Sequence, residues 1–306
     1  MKKNIFIFPG QGSQKIGMGK DFYDSDALAR EMIEKSGDRL KLNFKKLLFE
    51  DNDKLELTQY TQPAILLISC IAHALFVKEY NNRPLMAMGH SLGEFSALCS
   101  VGAVDYIDAV ELVHMRGLLM QEACVNIDAG MMVIIGLSDE KAQEVISAQD
   151  GKEVWAANYN SDGQLVIAGN KKDLVSIESV FKKAGARRVL LLNMSVASHC
   201  PLLKSIIAPL NNYLNRYIKD NFLAPIVSNV TANLYSTKKE ALELLSSQLI
   251  KPVKYKHSIK NIENQTDRFI EFGTTVLKGL NRKITKKETL CITDMMSLEK
   301  TLKELS

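Results

Sequence analysis

Gly89-His90-Ser91-Leu92-Gly93 is the stretch whose residue types and spacing point most directly to chemistry. A serine with glycines two positions to either side fits a tight strand-to-helix turn, where flanking side chains would collide with neighbouring backbone. Such a turn exposes the Ser91 hydroxyl as a nucleophile. It also aims the first free N–H groups of the following helix, and its positive end, at whatever the serine attacks; a developing oxyanion is favoured there. The context agrees: Leu85 to Met88 is a short apolar run, and Leu92 onward (Glu94, Phe95, Ala97, Leu98) reads as a helix. The pattern also arises by chance as an ordinary turn, so the serine needs partners.

A serine nucleophile needs a base, and the chain has five histidines. His90 adjoins Ser91, and adjacent side chains diverge. His73 lies in an apolar helix and reads as a core residue, His114 lies on a polar helix face, and His257 follows a lysine-rich stretch. His199, in Ser198-His199-Cys200-Pro201, stands where the chain returns from a separate lobe and can face the serine turn. By position it is the best base for Ser91; the alternative is a satisfied structural histidine.

Two further groups belong to this constellation. Asp105 caps a predicted helix running to about Cys124; at 100° per residue, Arg116 falls among Ala109, Leu112, Val113, Met120 and Ala123. A guanidinium in an apolar sector must find an anion, because an unpaired buried charge costs several kcal/mol or more. The planar fork suits a substrate carboxylate, and an internal salt bridge or a snorkelling side chain is the alternative. Pro9-Gly10-Gln11-Gly12-Ser13-Gln14 follows the first predicted strand, Asn4 to Phe8. Lys15 stands where a third glycine would complete G-x-G-x-x-G, so this is not a dinucleotide fingerprint. Gln11 at a strand end could offer its amide or backbone N–H to a ligand, or be a polar turn residue.

The elements that must position these groups alternate strand and helix. Asp21 to Asp51 reads as one amphipathic helical region, and Pro63 as the start of an apolar helix to about Tyr80. From Ala129 to Met194 the order is βαββαβ, a ferredoxin-like pattern inserted into a larger α/β domain. The expected division is 1–127 with 196–306 for the large parallel-sheet lobe, and 128–195 for the small one.

Composition narrows the function classes. Of 306 residues, 46% are apolar and 24% charged, which suits a globular enzyme. The net charge of +4 is spread along the chain and does not indicate nucleic acid. Five cysteines without C-x-x-C spacing read as free thiols in a reducing compartment. The N-terminus lacks the apolar stretch of a signal peptide, and the run Ala64 to Val77 is too short to span a bilayer. The expectation is a cytoplasmic monomer with no membrane, metal or cofactor.

Together the motifs resemble the malonyl-CoA:acyl carrier protein transacylases of bacterial fatty acid synthesis. The likeness rests on Phe8 to Gln14, Thr61-Gln62-Pro63-Ala64, Gly89 to Glu94, Met115-Arg116-Gly117 and Met120 to Ala123. It continues through Val166 to Gly169, Ser198-His199-Cys200 and Gln248 to Val253, in order to about residue 282. The resemblance implies a hydrolase-like large lobe, with Ser91 carrying the acyl group and His199 as its base. It implies that Arg116 pairs with the malonyl carboxylate, that the Gln11 and Leu92 amides form the oxyanion hole, and that Gln248 orients the histidine. Malonyl-CoA and holo acyl carrier protein are the implied partners. Gly273-Thr274-Thr275 departs from the usual Gly-Pro-Gly. Two rivals remain: an esterase or thioesterase using Ser91 with His257, and an acyltransferase serving a polyketide synthase.

Overall fold

The structure, a computed structural model, describes residues 3–80, 83–194 and 196–305. Ten strands among them form two sheets. In the larger, β1 (Asn4–Phe8), β2 (Met86–Gly89), β7 (Ile226–Val227), β8 (Leu234–Tyr235), β9 (Arg268–Phe272) and β10 (Glu288–Ile292) take the order β10-β9-β1-β2-β7-β8. All neighbours are parallel except β7 and β8. Every residue of β1 is buried, as expected of a parallel strand covered on both faces. Ile5 and Ile7 enter one core with Met88, Tyr255 and Phe269, while Phe6 and Phe8 enter the other with Phe272 and the helices above.

Two details of this sheet build the site. β1 and β2 lie side by side with Phe8 opposite Gly89, so the Gln11 loop and the Ser91 turn leave the sheet together at its carboxyl edge. The chain order also reverses here, β2 lying to one side of β1 and β9 to the other.

The second sheet is antiparallel: β3 (Ala129–Ile135), β4 (Val154–Ser161), β5 (Gln164–Asn170) and β6 (Arg188–Leu191) in the order β4-β5-β3-β6. Helices Asp139–Ser147 and Lys171–Lys183 cover it, capped by Ser138 and Asn170, and its core is separate. The expected end of this lobe falls on Ser195, outside the described residues. β4 also joins the large lobe directly: Val253 exchanges backbone hydrogen bonds with Ala157 and Tyr159, both 2.8 Å. Beside that bridge, the Lys256 ammonium of the large lobe reaches Asp139 (2.5 Å) and Asp162 (3.3 Å) of the small one.

The helices differ from expectation in three places. Residues 21–51 break into Lys20–Ser25, Ala27–Leu40 and Phe44–Phe49, with Asp26 and Asn43 capping the second and third. Asp105 precedes the helix Tyr106–Cys124, but its carboxylate binds Lys219 (2.7 Å) rather than the helix amides. Pro63 starts nothing: the helix runs Thr58–Glu79 with the proline inside. Proline cannot donate to the carbonyl four residues back. That carbonyl, on Gln59, accepts a 2.8 Å hydrogen bond from His114 Nδ1 instead. The same crossing is close enough that a Cβ on Gly117 would lie 2.6 Å from Gln59 Cα. At 22 residues, Thr58–Glu79 is long and apolar enough to cross a membrane, contrary to the estimate from the shorter run. Here it is a core helix, with 78% of its apolar window buried inside the fold.

Candidate active site

Ser91 occupies a strained backbone position between β2 and the helix Gly93–Ser100, with φ of 52°. The turn admits only glycine on either side. A Cβ on Gly89 would sit 1.8 Å from the Gly93 carbonyl carbon, and one on Gly93 would sit 2.0 Å from the Phe8 carbonyl oxygen. Asn229, just beyond β7, clamps the turn from the next strand. Its Oδ1 accepts from the Ser91 N–H (2.6 Å) and its Nδ2 donates to the Gly89 carbonyl (2.7 Å).

His199 Nε2 lies 2.7 Å from Ser91 Oγ. His199 Nδ1 lies 2.6 Å from the main-chain oxygen of Gln248. A carbonyl only accepts, so Nδ1 carries the proton and Nε2 turns its lone pair toward the serine. His199 is 2% exposed, and burial, with the Arg116 charge as a second cause, pulls its pKa down to about 3. It is therefore a neutral imidazole, as a base must be. His199 too has positive φ, 60°, which nothing in its sequence context signalled.

Arg116 projects from its helix into the same space, and it is 2% exposed. Nη1 donates to Gln62 Oε1 (2.7 Å), while Nη2 donates to Gln248 Oε1 (3.2 Å) and Ser91 Oγ (3.3 Å). The guanidinium lies over the Phe95 ring, and its Nε has no partner among the described residues. No carboxylate pairs with it directly among those residues, so the internal salt bridge considered from sequence is not made. Burial draws its pKa down to about 10, which leaves it charged near neutrality. The site is a buried cation held by neutral acceptors.

Gln11 and Leu92 line the cavity beside Ser91. The Gln11 side-chain oxygen is taken by the Thr58 hydroxyl (2.8 Å), which leaves its backbone N–H as the group to offer. The Ser91 N–H is spent on Asn229, whereas the Gln11 and Leu92 N–H groups donate to nothing among the described residues. The cavity is about 360 Å³ and runs between the lobes, with Met131, Val133 and Val166 of the small sheet forming its apolar wall. A larger, open groove of about 880 Å³ past Asn212 and Lys239 holds none of this chemistry.

The sequence therefore brought Ser91, His199, Arg116, Gln11, Leu92 and Gln248 together. His257 is not among them: it sits beside Asp139 (3.7 Å) and edge-on to Tyr159. Sequence reasoning gave no role to Asn229, Gln62 or Glu94. Asn229 was accessible in principle, since it follows β7 closely at the same sheet edge. His90, set aside because its neighbour diverges from it, does line the cavity and meets Asn160 Oδ1 at 2.7 Å.

Comparison with known proteins accords with this geometry. The family described as acyl transferase domain matches residues 5–290. The malonyl CoA-acyl carrier protein transacylase of Bacillus subtilis is 36% identical over 99% of this chain and 98% of its own. The chain belongs to the malonyl-CoA:acyl carrier protein transacylase family. Among solved members, the Helicobacter pylori transacylase superposes with a TM-score of 0.97 at 45% identity, covering 100% of this chain and 99% of that one. A malonyl-transacylase solved in complex with a type II PKS acyl-carrier protein gives 0.94 at 32% identity, with 99% of each chain covered. The transacylase family is thus the frame for the dyad and the buried arginine.

Proposed function

We propose that this chain transfers a malonyl group from malonyl-CoA to the phosphopantetheine thiol of holo acyl carrier protein through a malonyl-Ser91 intermediate. The observation that carries the reading is the double approach to Ser91 Oγ: His199 Nε2 at 2.7 Å and the Arg116 guanidinium at 3.3 Å, inside one cavity. A base activates the serine, and a cation beside it selects an acyl group that ends in a carboxylate.

His199 takes the Ser91 proton as Oγ attacks the thioester carbonyl. The Gln11 and Leu92 amides hold the tetrahedral oxyanion, one such donor being worth roughly 10²–10³ in rate. Collapse breaks the C–S bond, His199 returns the proton to the departing thiolate, and malonyl-Ser91 remains. The carrier thiol then attacks the ester with His199 as base, which gives ping-pong kinetics. Gln248 holds the imidazole through its carbonyl, as the acid does in a triad. No cofactor or metal enters these steps.

The same reading assigns 1–127 and 196–306 to a hydrolase-like lobe and 128–195 to a ferredoxin-like one, in keeping with a parallel sheet and an antiparallel β4-β5-β3-β6 sheet. It takes the protein as a cytoplasmic monomer. A fatty acid carrier is the proposed acceptor. The test is steady-state transfer from malonyl-CoA to holo acyl carrier protein. Parallel double-reciprocal lines support the reading, and malonate release that ignores the carrier counts against it.

A further inference from the structure

Among the described residues, Glu94 is the one carboxylate built into the floor of the site, three residues after Ser91 on the helix that the turn begins. It is 1% exposed. A buried carboxylate of this kind is costly unless donors surround it, and here three converge. Oε2 accepts from Gln248 Nε2 (2.9 Å) and the Asn229 N–H (3.1 Å), and Oε1 accepts from the Tyr235 hydroxyl (3.0 Å).

The bond to Gln248 has a direction. Its Nε2 faces acceptors throughout: Glu94 Oε2, the Ser91 carbonyl (3.2 Å) and Asn229 Oδ1 (3.4 Å). With the nitrogen pinned there, Oε1 must point the other way, at Arg116 Nη2. We propose that Glu94 is a positioning residue for malonyl selectivity, fixing the polarity of the Gln248 amide so that its oxygen aims the Arg116 guanidinium. Gln248 is a neutral relay: it passes the pull of a buried anion to a buried cation without letting the two meet. An ion pair between them would occupy the fork that the substrate carboxylate needs. The relay leaves Arg116 oriented and available.

Burial raises the Glu94 pKa to about 7. A proton there belongs on Oε1, where the Tyr235 hydroxyl can turn and accept it. The Asn229 backbone N–H cannot reverse, so Oε2 remains an acceptor, the Gln248 nitrogen stays beside it and the relay keeps its direction.

This inference rests on the malonyl-transfer reading and is tested separately from it, through a ratio. Glu94→Leu removes both acceptors, so nothing at this position any longer holds the Gln248 nitrogen away from Arg116. The expected result is a preference for malonyl-CoA over acetyl-CoA, in kcat/KM, reduced about tenfold, the worth of one hydrogen bond to a charged group. In an Arg116→Ala background the same change leaves the ratio where Arg116→Ala alone set it. Glu94→Gln, which like a protonated Glu94 can keep an acceptor toward Gln248 and Asn229, retains more of the preference than Glu94→Leu. Should Glu94→Leu fail to fold, Gln248→Met removes the relay amide but not the carbonyl for His199, and must lower the ratio itself. Equal loss with both thioesters, or a further drop of the ratio in the Arg116→Ala background, overturns the proposal. Failure of wild-type transfer would instead sink the functional reading.

Discussion

The Gln59 carbonyl and the His114 imidazole are joined by a 2.8 Å hydrogen bond that Pro63 makes necessary. Proline deprives the carbonyl of its helical partner, and a histidine from the neighbouring helix replaces it, just where Gly117 permits close contact. The two helices so fixed carry Gln62 and Arg116. His114→Phe would keep bulk and withdraw the donor. The expected cost is about 1 kcal/mol, read as a melting temperature lower by roughly 2 °C. An unchanged melting temperature would show that the bond does not matter.

Arg116 is held by neutral acceptors, and so it is free to pair with an incoming carboxylate. Arg116→Ala should cut kcat/KM for malonyl-CoA by about 100-fold or more, while acetyl-CoA loses far less, because the unpaired guanidinium no longer penalises the neutral acyl group. The preference then narrows or reverses. A variant that transfers both more slowly but with the wild-type ratio would reject the clamp.

Lys256 ties the lobes beside the cleft, and both its side chain and that of Asp139 are only 10% and 13% exposed. Lys256→Met should strand the Asp139 carboxylate and cost about 2 kcal/mol, less than a fully buried pair because Asp162 is wet. A wider cleft should also raise the KM for malonyl-CoA more than it lowers kcat. Urea midpoints and steady-state constants check the two halves independently; a variant with wild-type midpoint and KM would remove the latch from the account.

The pH dependence follows from the buried titratable groups. Burial lowers His199 to about 3 and His73 to about 4, and shifts His90 and His257 downward too. Each holds its proton less tightly in the folded chain than in the unfolded one, where it titrates near 6.5, so its contribution is present above 6.5 and lost as pH falls. Glu94, raised to about 7, and Glu271, also raised, work the other way from about 4.5 upward. Four groups against two predict a higher urea midpoint at pH 6.5 than at pH 5. The acid limb of kcat/KM should likewise fall well below 6.5, since the free enzyme keeps His199 neutral. An acid limb centred at 6.5 would contradict the buried base.

Much of the site was legible in the sequence, because its parts sit at places where the chain's local pattern changes. The Ser91 turn is marked by glycines with a steric reason, and Arg116 by a charge out of phase with its helix. His199 is marked by the return from the βαββαβ segment. What escaped has a physical cause. The proline at Pro63 read as a helix start because its missing bond is made good by a histidine 51 residues later, which no local rule can see. Asp105 sits where a cap belongs, yet Lys219 claims its carboxylate. Glu94 looked like one more polar helix residue, since its meaning depends on Asn229, Tyr235 and Gln248, which meet it only in the folded sheet. Gly273-Thr274-Thr275 is held by its own device, the Thr274 hydroxyl donating to Glu271 (2.8 Å).

A covalent malonyl-Ser91 adds mass to the protein, and intact mass reads it. The wild-type protein is exposed briefly to malonyl-CoA without carrier protein, beside Ser91→Ala, and weighed. One malonyl adduct is expected on the wild type, absent from the variant and discharged by added holo acyl carrier protein. An unmodified wild type that steadily releases malonate into water would contradict it.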